Sequence, residues 1–74
     1  MTKALQRQEG GDHYKELSIQ PIEFIHANDI PFLEACVIKR CCRHRRKNGA
    51  EDIRKAIHEL ELILQLEYPE HSQP

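Results

Sequence analysis

Val37–Glu51 reads VIKRCCRHRRKNGAE, and the fold turns on how that stretch divides. Six of the chain's eleven Lys and Arg residues lie between Lys39 and Lys47, Asn48-Gly49 follows, and Glu51 and Asp52 open the next segment. Cations are favoured at the negative end of a helix and acids at the positive end. Asn-Gly supplies the left-handed residue that commonly terminates a helix. The stretch therefore predicts a helix ending in cations, a tight turn, and a helix beginning in anions.

Upstream, the first of these two helices is expected to run from Pro31 to about Lys47. At about 100° per residue, Ala35, Val37, Ile38, Cys41 and Cys42 share one broad arc, read as buried. Lys39, Arg40, Arg43, Arg46 and Lys47 share the opposite arc, and Lys39, Arg43 and Lys47 recur at i, i+4, i+8. Like charges at that spacing repel, and the helix has no acid after Glu34 to relieve them. The anion is therefore expected from elsewhere, either a phosphate-type ligand or another helix.

Downstream, the second helix is expected from Ala50 to about Tyr68, ended by Pro69. Ile53, Ala56, Ile57, Leu60, Ile63 and Leu64 form its core stripe. Leu62 and Leu66 fall on the far side among Lys55 and Glu59, which predicts a second packing surface and self-association. Before the pair, Ser18-Ile19-Gln20-Pro21 starts a short helix with Pro21 in its first turn. That helix carries Ile22, Phe24 and Ile25, ends near Asn28-Asp29, and is separated from the next by Ile30-Pro31. There is no internal repeat and no credible strand. The expected fold is all-α: a short N-terminal arm and helix, then an antiparallel helical hairpin, assembled as a homo-oligomer. Residues 1–11 read as a flexible arm, 12–68 as a single helical domain and 69–74 as a tail.

Size and composition narrow the function. Seventy-four residues make one domain with a marginal core, a size that ordinarily requires a staple, a metal or partner subunits. Three cysteines, two of them adjacent, do not suit a disulfide framework and fit a reducing, cytoplasmic setting. No apolar run approaches the ~20 residues of a membrane span, and MTKALQRQEGG lacks a signal peptide's apolar core. The net charge of −1 and the acids beside the basic run make a poor footprint for DNA or RNA. The local basic cluster points instead to one defined anionic ligand.

The chemistry-bearing residues can be weighed class by class. There is no GxxxxGK[ST] loop, so nucleotide chemistry of the P-loop kind is excluded. Lys39, Arg43 and Lys47 can hold phosphates. Glu51 and Asp52 can take Mg²⁺ or the polar groups of a nucleotide, or else cap their helix while Glu51 pairs with Lys55. Asp12-His13-Tyr14-Lys15 sets an acid, an imidazole, a phenol and an amine side by side on an irregular segment, where they can line a site. Cys41, Cys42 and His44 have the wrong spacing for zinc, so the cysteines are expected to be small buried side chains and no metal is expected.

DHY, IQPIEFI, a helix with VIK followed by Arg43, and then KNG, Glu51-Asp52-Ile53 and Lys55-Ala56 occur in that order. The order resembles the small all-helical domain of bacteriophage nucleotide kinases, P-loop-free enzymes that phosphorylate deoxynucleoside monophosphates. It is also similar to the Sequestin-type phage proteins that sequester cyclic-nucleotide immune signals. The likeness spans roughly residues 12–66. It implies a ligand site of His13, Tyr14, Lys15, Lys39, Arg43, Lys47, Asn48, Glu51, Asp52 and Lys55, with Gly49 in the turn. It also implies a phage protein acting in the infected bacterial cytoplasm. Ala35-Cys36 stands where the kinases tend to have Gly-Asn, and Cys41 and Glu59 stand where they tend to have aromatics. These departures fall on the kinases' own substrate contacts. The expected function is therefore a sponge that encloses a cyclic dinucleotide between subunits, with no cofactor. The alternative is a nucleoside monophosphate kinase using ATP and Mg²⁺.

Overall fold

Gln20-Pro21 begins the first helix in the computed structural model of the protein, which describes residues 17–71. In α1 (Pro21–Ala27), Pro21 occupies the first turn, where its missing N–H forfeits no helical hydrogen bond. The Glu23 carboxylate reaches back to accept the Gln20 N–H at 3.0 Å. The end of α1 is set at Asp29, whose φ of 52° is in the left-handed region. The Asp29 N–H donates to the His26 carbonyl at 3.3 Å and the Ile30 N–H to the Ile25 carbonyl at 3.0 Å. Those two bonds are the Schellman closure, and an aspartate tolerates the left-handed conformation better than most side chains. Pro31 does not itself break α1; it lies extended and opens the next helix.

α2 (Phe32–Arg43) is followed by a 3₁₀ turn, His44–Arg46. The expected helix to Lys47 is thus too long by a turn in its α-helical register. The segment closes through a wide turn, in which the Gly49 N–H donates to the His44 carbonyl five residues back at 2.8 Å. Gly49 then has φ 56° and ψ −128°, a conformation that only glycine adopts at low cost. It caps the start of α3 (Ala50–Glu67), its carbonyl accepting the Asp52 N–H at 3.0 Å. The Tyr68 N–H bonds to the Leu64 carbonyl, and Pro69–His71 forms a final 3₁₀ turn.

The chain is all-α among the described residues. α2 and α3 pack on one another, and α1 packs on α2. No helix among the described residues is long and apolar enough to cross a membrane.

The core departs from the expected stripes. Among the described residues only Ile25 and Ala56 are buried hydrophobic side chains beside Pro21, and Asp52 is buried completely. On α2, Ala35, Val37, Ile38 and Cys42 are half-buried and Cys41 is exposed, so the expected burial of both cysteines is corrected. On α3, Asp52, Ala56, Glu59 and Ile63 recur at i, i+4, i+7, i+11 and form the face toward α2. Ile53, Ile57, Leu60 and Leu64 lie round from it and are about 36–51 % exposed. Leu62 is half-buried, and Leu66 is 69 % exposed. The physical reason is that ion pairs, rather than aliphatic packing, fix how the two helices are rotated.

Candidate cationic site between the helices

Cys36, Arg40 and Arg43 are spaced i, i+4, i+7, which puts them on one face of α2. Two acids on α3 meet that face. The Arg43 Nε lies 3.2 Å from each Asp52 carboxylate oxygen, and Nη2 donates to Oδ1 at 3.0 Å. Arg40 makes a two-pronged bond to Glu59, Nε to Oε1 at 2.9 Å and Nη2 to Oε2 at 3.0 Å. Its Nη1 reaches Asp52 Oδ1 at 3.5 Å, so one buried carboxylate ties both arginines together. Planar guanidinium–carboxylate pairs of this kind fix orientation as well as distance.

The hydrogen bond from Arg43 holds the Asp52 carboxyl below the ordinary aspartate value, overcoming the opposing effect of burial. Asn48 assists through both its side chain and its backbone N–H. Arg40 is raised above its already high value, chiefly by its hydrogen bond to Glu59. Both shifts favour the charged forms of Asp52 and Arg40. No buried side-chain nitrogen or oxygen among the described residues lacks a partner.

Beside the network lies an open depression of about 100 Å³ lined by Cys36, Lys39, Arg40 and Arg43. Arg40 and Arg43 are held by carboxylates, while Lys39 is exposed at its edge. The depression joins a point-charge ammonium, suited to a phosphate, to guanidiniums whose planes are already set.

The expected site residues fall into groups. Lys39 and Arg43 line the depression. Asn48 and Asp52 stand behind it; the Asp52 carboxylate is turned inward, so it positions Arg43 rather than facing solvent. Lys47, Glu51 and Lys55 are exposed, and Glu51 pairs with Lys55 at 3.3 Å. With α2 ending at Arg43, Lys47 does not continue the Lys39–Arg43 row in helical register. His13, Tyr14 and Lys15 lie outside the described residues. The described residues contain no cluster of three or more His, Cys, Asp or Glu placed to hold a metal ion.

Sequence reading left Arg40, Cys36 and Glu59 out of the site. The signal was present as a match between two faces. Arg40 and Arg43 at i, i+3 are complementary to Asp52 and Glu59 at i, i+7 across an Asn-Gly turn. Reading each helix separately hid it.

The fold and site together define a small helical chain with an ion-paired interhelical seam opening on a cationic depression. The family model described as a protein of unknown function, DUF3310, matches residues 8–61, and the chain belongs to that family. None of the curated proteins and none of the solved structures matches it.

Proposed function

We propose that the protein binds a phosphorylated nucleotide ligand, a cyclic dinucleotide of the kind used as an immune signal, and removes it from solution. In this reading the helical pair is an antiparallel hairpin that assembles as a homo-oligomer, and the ligand lies between subunits. The protein would act as a phage sponge in the cytoplasm of an infected bacterial cell.

One observation carries the reading: Lys39, Arg40 and Arg43 surround a single open depression, and Asp52 and Glu59 hold the two arginines in fixed orientation. Preorganised donors lose little entropy on binding an anion. The depression's volume of about 100 Å³ is well below the ~300–1,000 Å³ of a site that encloses a whole ligand. It suits a phosphate group and leaves sugar and base to be covered by a second wall. A symmetric partner presenting the same face supplies that wall and a second phosphate site, as a ligand with two phosphates requires.

The kinase alternative asks Glu51 and Asp52 to hold Mg²⁺, whereas Glu51 is paired with Lys55 and Asp52 with Arg43. The decisive experiment has two arms. The full chain is incubated with cyclic dinucleotides, washed and heated, and separately with ATP, Mg²⁺ and deoxynucleoside monophosphates. Intact cyclic dinucleotide released only on denaturation, and lost in Lys39→Glu with helical content unchanged, supports the sponge. New nucleoside diphosphate makes the protein a kinase. A chain that neither retains cyclic dinucleotide nor forms new diphosphate rejects both.

A further inference from the structure

Ile53, Ile57, Leu60 and Leu64 follow one another at spacings of four, three and four along α3. That is the alternating d, a, d, a pattern of a coiled-coil seam. The four are 36 %, 51 %, 48 % and 46 % exposed, on a face separate from the one that meets α2. A chain whose described residues bury only Ile25, Ala56 and Pro21 as apolar side chains has too small a core to leave such a seam in water. Its cover must be something always present and matched in shape and charge.

The charges beside the seam identify that cover. Arg54 and Glu61 are exposed on the edge of the seam away from α2, one heptad apart, so both hold the e position. The corresponding residues on the other edge, Ala56 and Ile63, carry no charge. When two copies of α3 pack antiparallel about a two-fold axis between Ile57 and Leu60, Ile53 lies against Leu64 of the second copy and Ile57 against its Leu60. The e position of one helix then borders the e position of the other. Arg54 of each copy meets Glu61 of its neighbour, and the two-fold axis makes the pair twice. In a parallel packing these residues border Ala56 and Ile63, and neither charge is answered.

We propose that α3 is a self-recognition helix, that the seam Ile53-Ile57-Leu60-Leu64 is covered by the same seam of a second copy, and that reciprocal Arg54–Glu61 pairs fix the antiparallel order. The inference rests on the self-assembly in the reading above and not on its ligand. It replaces Leu62 and Leu66 as the self-association surface, because those two do not lie on the exposed seam.

A charge-swap cycle tests it. The full-length wild type, Arg54→Glu, Glu61→Arg and the double swap are compared by sedimentation at low salt, with Leu60→Glu as the seam control. Circular dichroism checks that each variant keeps its helices. Each single swap sets like charges against each other twice and is expected to weaken association about tenfold. The double swap restores opposite charges and should return association to within about threefold of wild type. Leu60→Glu should yield monomer. Association untouched by Leu60→Glu overturns the seam. A double swap no better than the worse single swap overturns the antiparallel order, and a wild type that is monomeric at all concentrations overturns the inference altogether. A chain that follows the expected pattern yet retains no nucleotide supports this inference while removing the proposed ligand.

Discussion

Asp52 is completely buried against Arg43, its Oδ1 3.0 Å from Nη2 and both of its oxygens 3.2 Å from Nε. The pair joins the last turn of α2 to the first turn of α3, so it closes the turn that contains Gly49. Arg40 reaches the same carboxylate and also grips Glu59, two turns further along α3. Rotation and separation of the helices are thus set by charges in a chain with very little aliphatic core. Removing Arg43 leaves the Asp52 carboxylate charged where water cannot reach it, and removing Asp52 takes from both arginines the carboxylate they share, so either loss costs more than the intact pair contributes. Asp52→Ala and Arg43→Ala should each lower the melting temperature by about 10 °C or more. The double variant should lose less than the sum of the two. Additive losses in thermal melts would mean that the two side chains act independently.

The same carboxylate gives stability a pH dependence with a definite sign. Arg43 lowers the folded value of Asp52 below the ~3.9 of an unfolded aspartate. The folded chain therefore holds its proton less tightly than the unfolded chain. The stabilisation is fully present above about pH 5 and is lost as pH falls through the folded value. Melting temperatures followed down to pH 3 should fall steeply for the wild type. For Asp52→Asn they should start lower and fall less, so that the two curves converge. Parallel curves would assign acid sensitivity to other carboxylates.

Gly49 is required for its backbone and not for room. A Cβ built on it meets nothing within 4 Å, yet its φ of 56° with ψ of −128° is costly for any L side chain. Gly49→Ala should destabilise the chain by about 1–3 kcal/mol through strain alone. Denaturant unfolding should register the loss with an unchanged slope. A neutral substitution would show that the turn relaxes to another conformation.

The helices were legible because their punctuation is local. Pro21, the Asn28-Asp29 stop, Pro31, Asn48-Gly49 and Pro69 each constrain their immediate neighbours, and α1, α2 and α3 begin and end close to them. What faces what was less legible. Ile53, Ile57, Leu60 and Leu64 are apolar and periodic, so a single-chain reading assigns them to the core. The structure instead gives that inner face to Asp52, Ala56, Glu59 and Ile63, because Arg40 and Arg43 require acids opposite them. Periodicity finds an apolar stripe but cannot say which molecule covers it. For the site, the row Lys39-Arg43-Lys47 did raise the question of a missing anion. Part of the answer lay in α3, since Asp52 supplies it for Arg43. Lys39 was identified by charge alone, whereas Cys36 and Glu59 needed the helices placed side by side.

Cys36 offers a chemical handle on the depression. Its thiol lies among Lys39, Arg40 and Arg43, on a different face of α2 from the exposed Cys41. In a Cys41→Ser, Cys42→Ser background the sole remaining cysteine reports on that space. A phosphate or nucleotide held by the three cations would cover the thiol, so bound ligand should slow its reaction with a maleimide about tenfold or more at saturation. Conversely, a maleimide adduct should fill a space of about 100 Å³ and abolish ligand retention without changing helical content. Lys39→Glu should remove the protection while leaving the rate without ligand within a few-fold, because Lys39 stands at the edge and the arginines stay anchored to Asp52 and Glu59. A labelling rate indifferent to saturating ligand would place binding elsewhere and leave the ion-paired seam with a purely structural role.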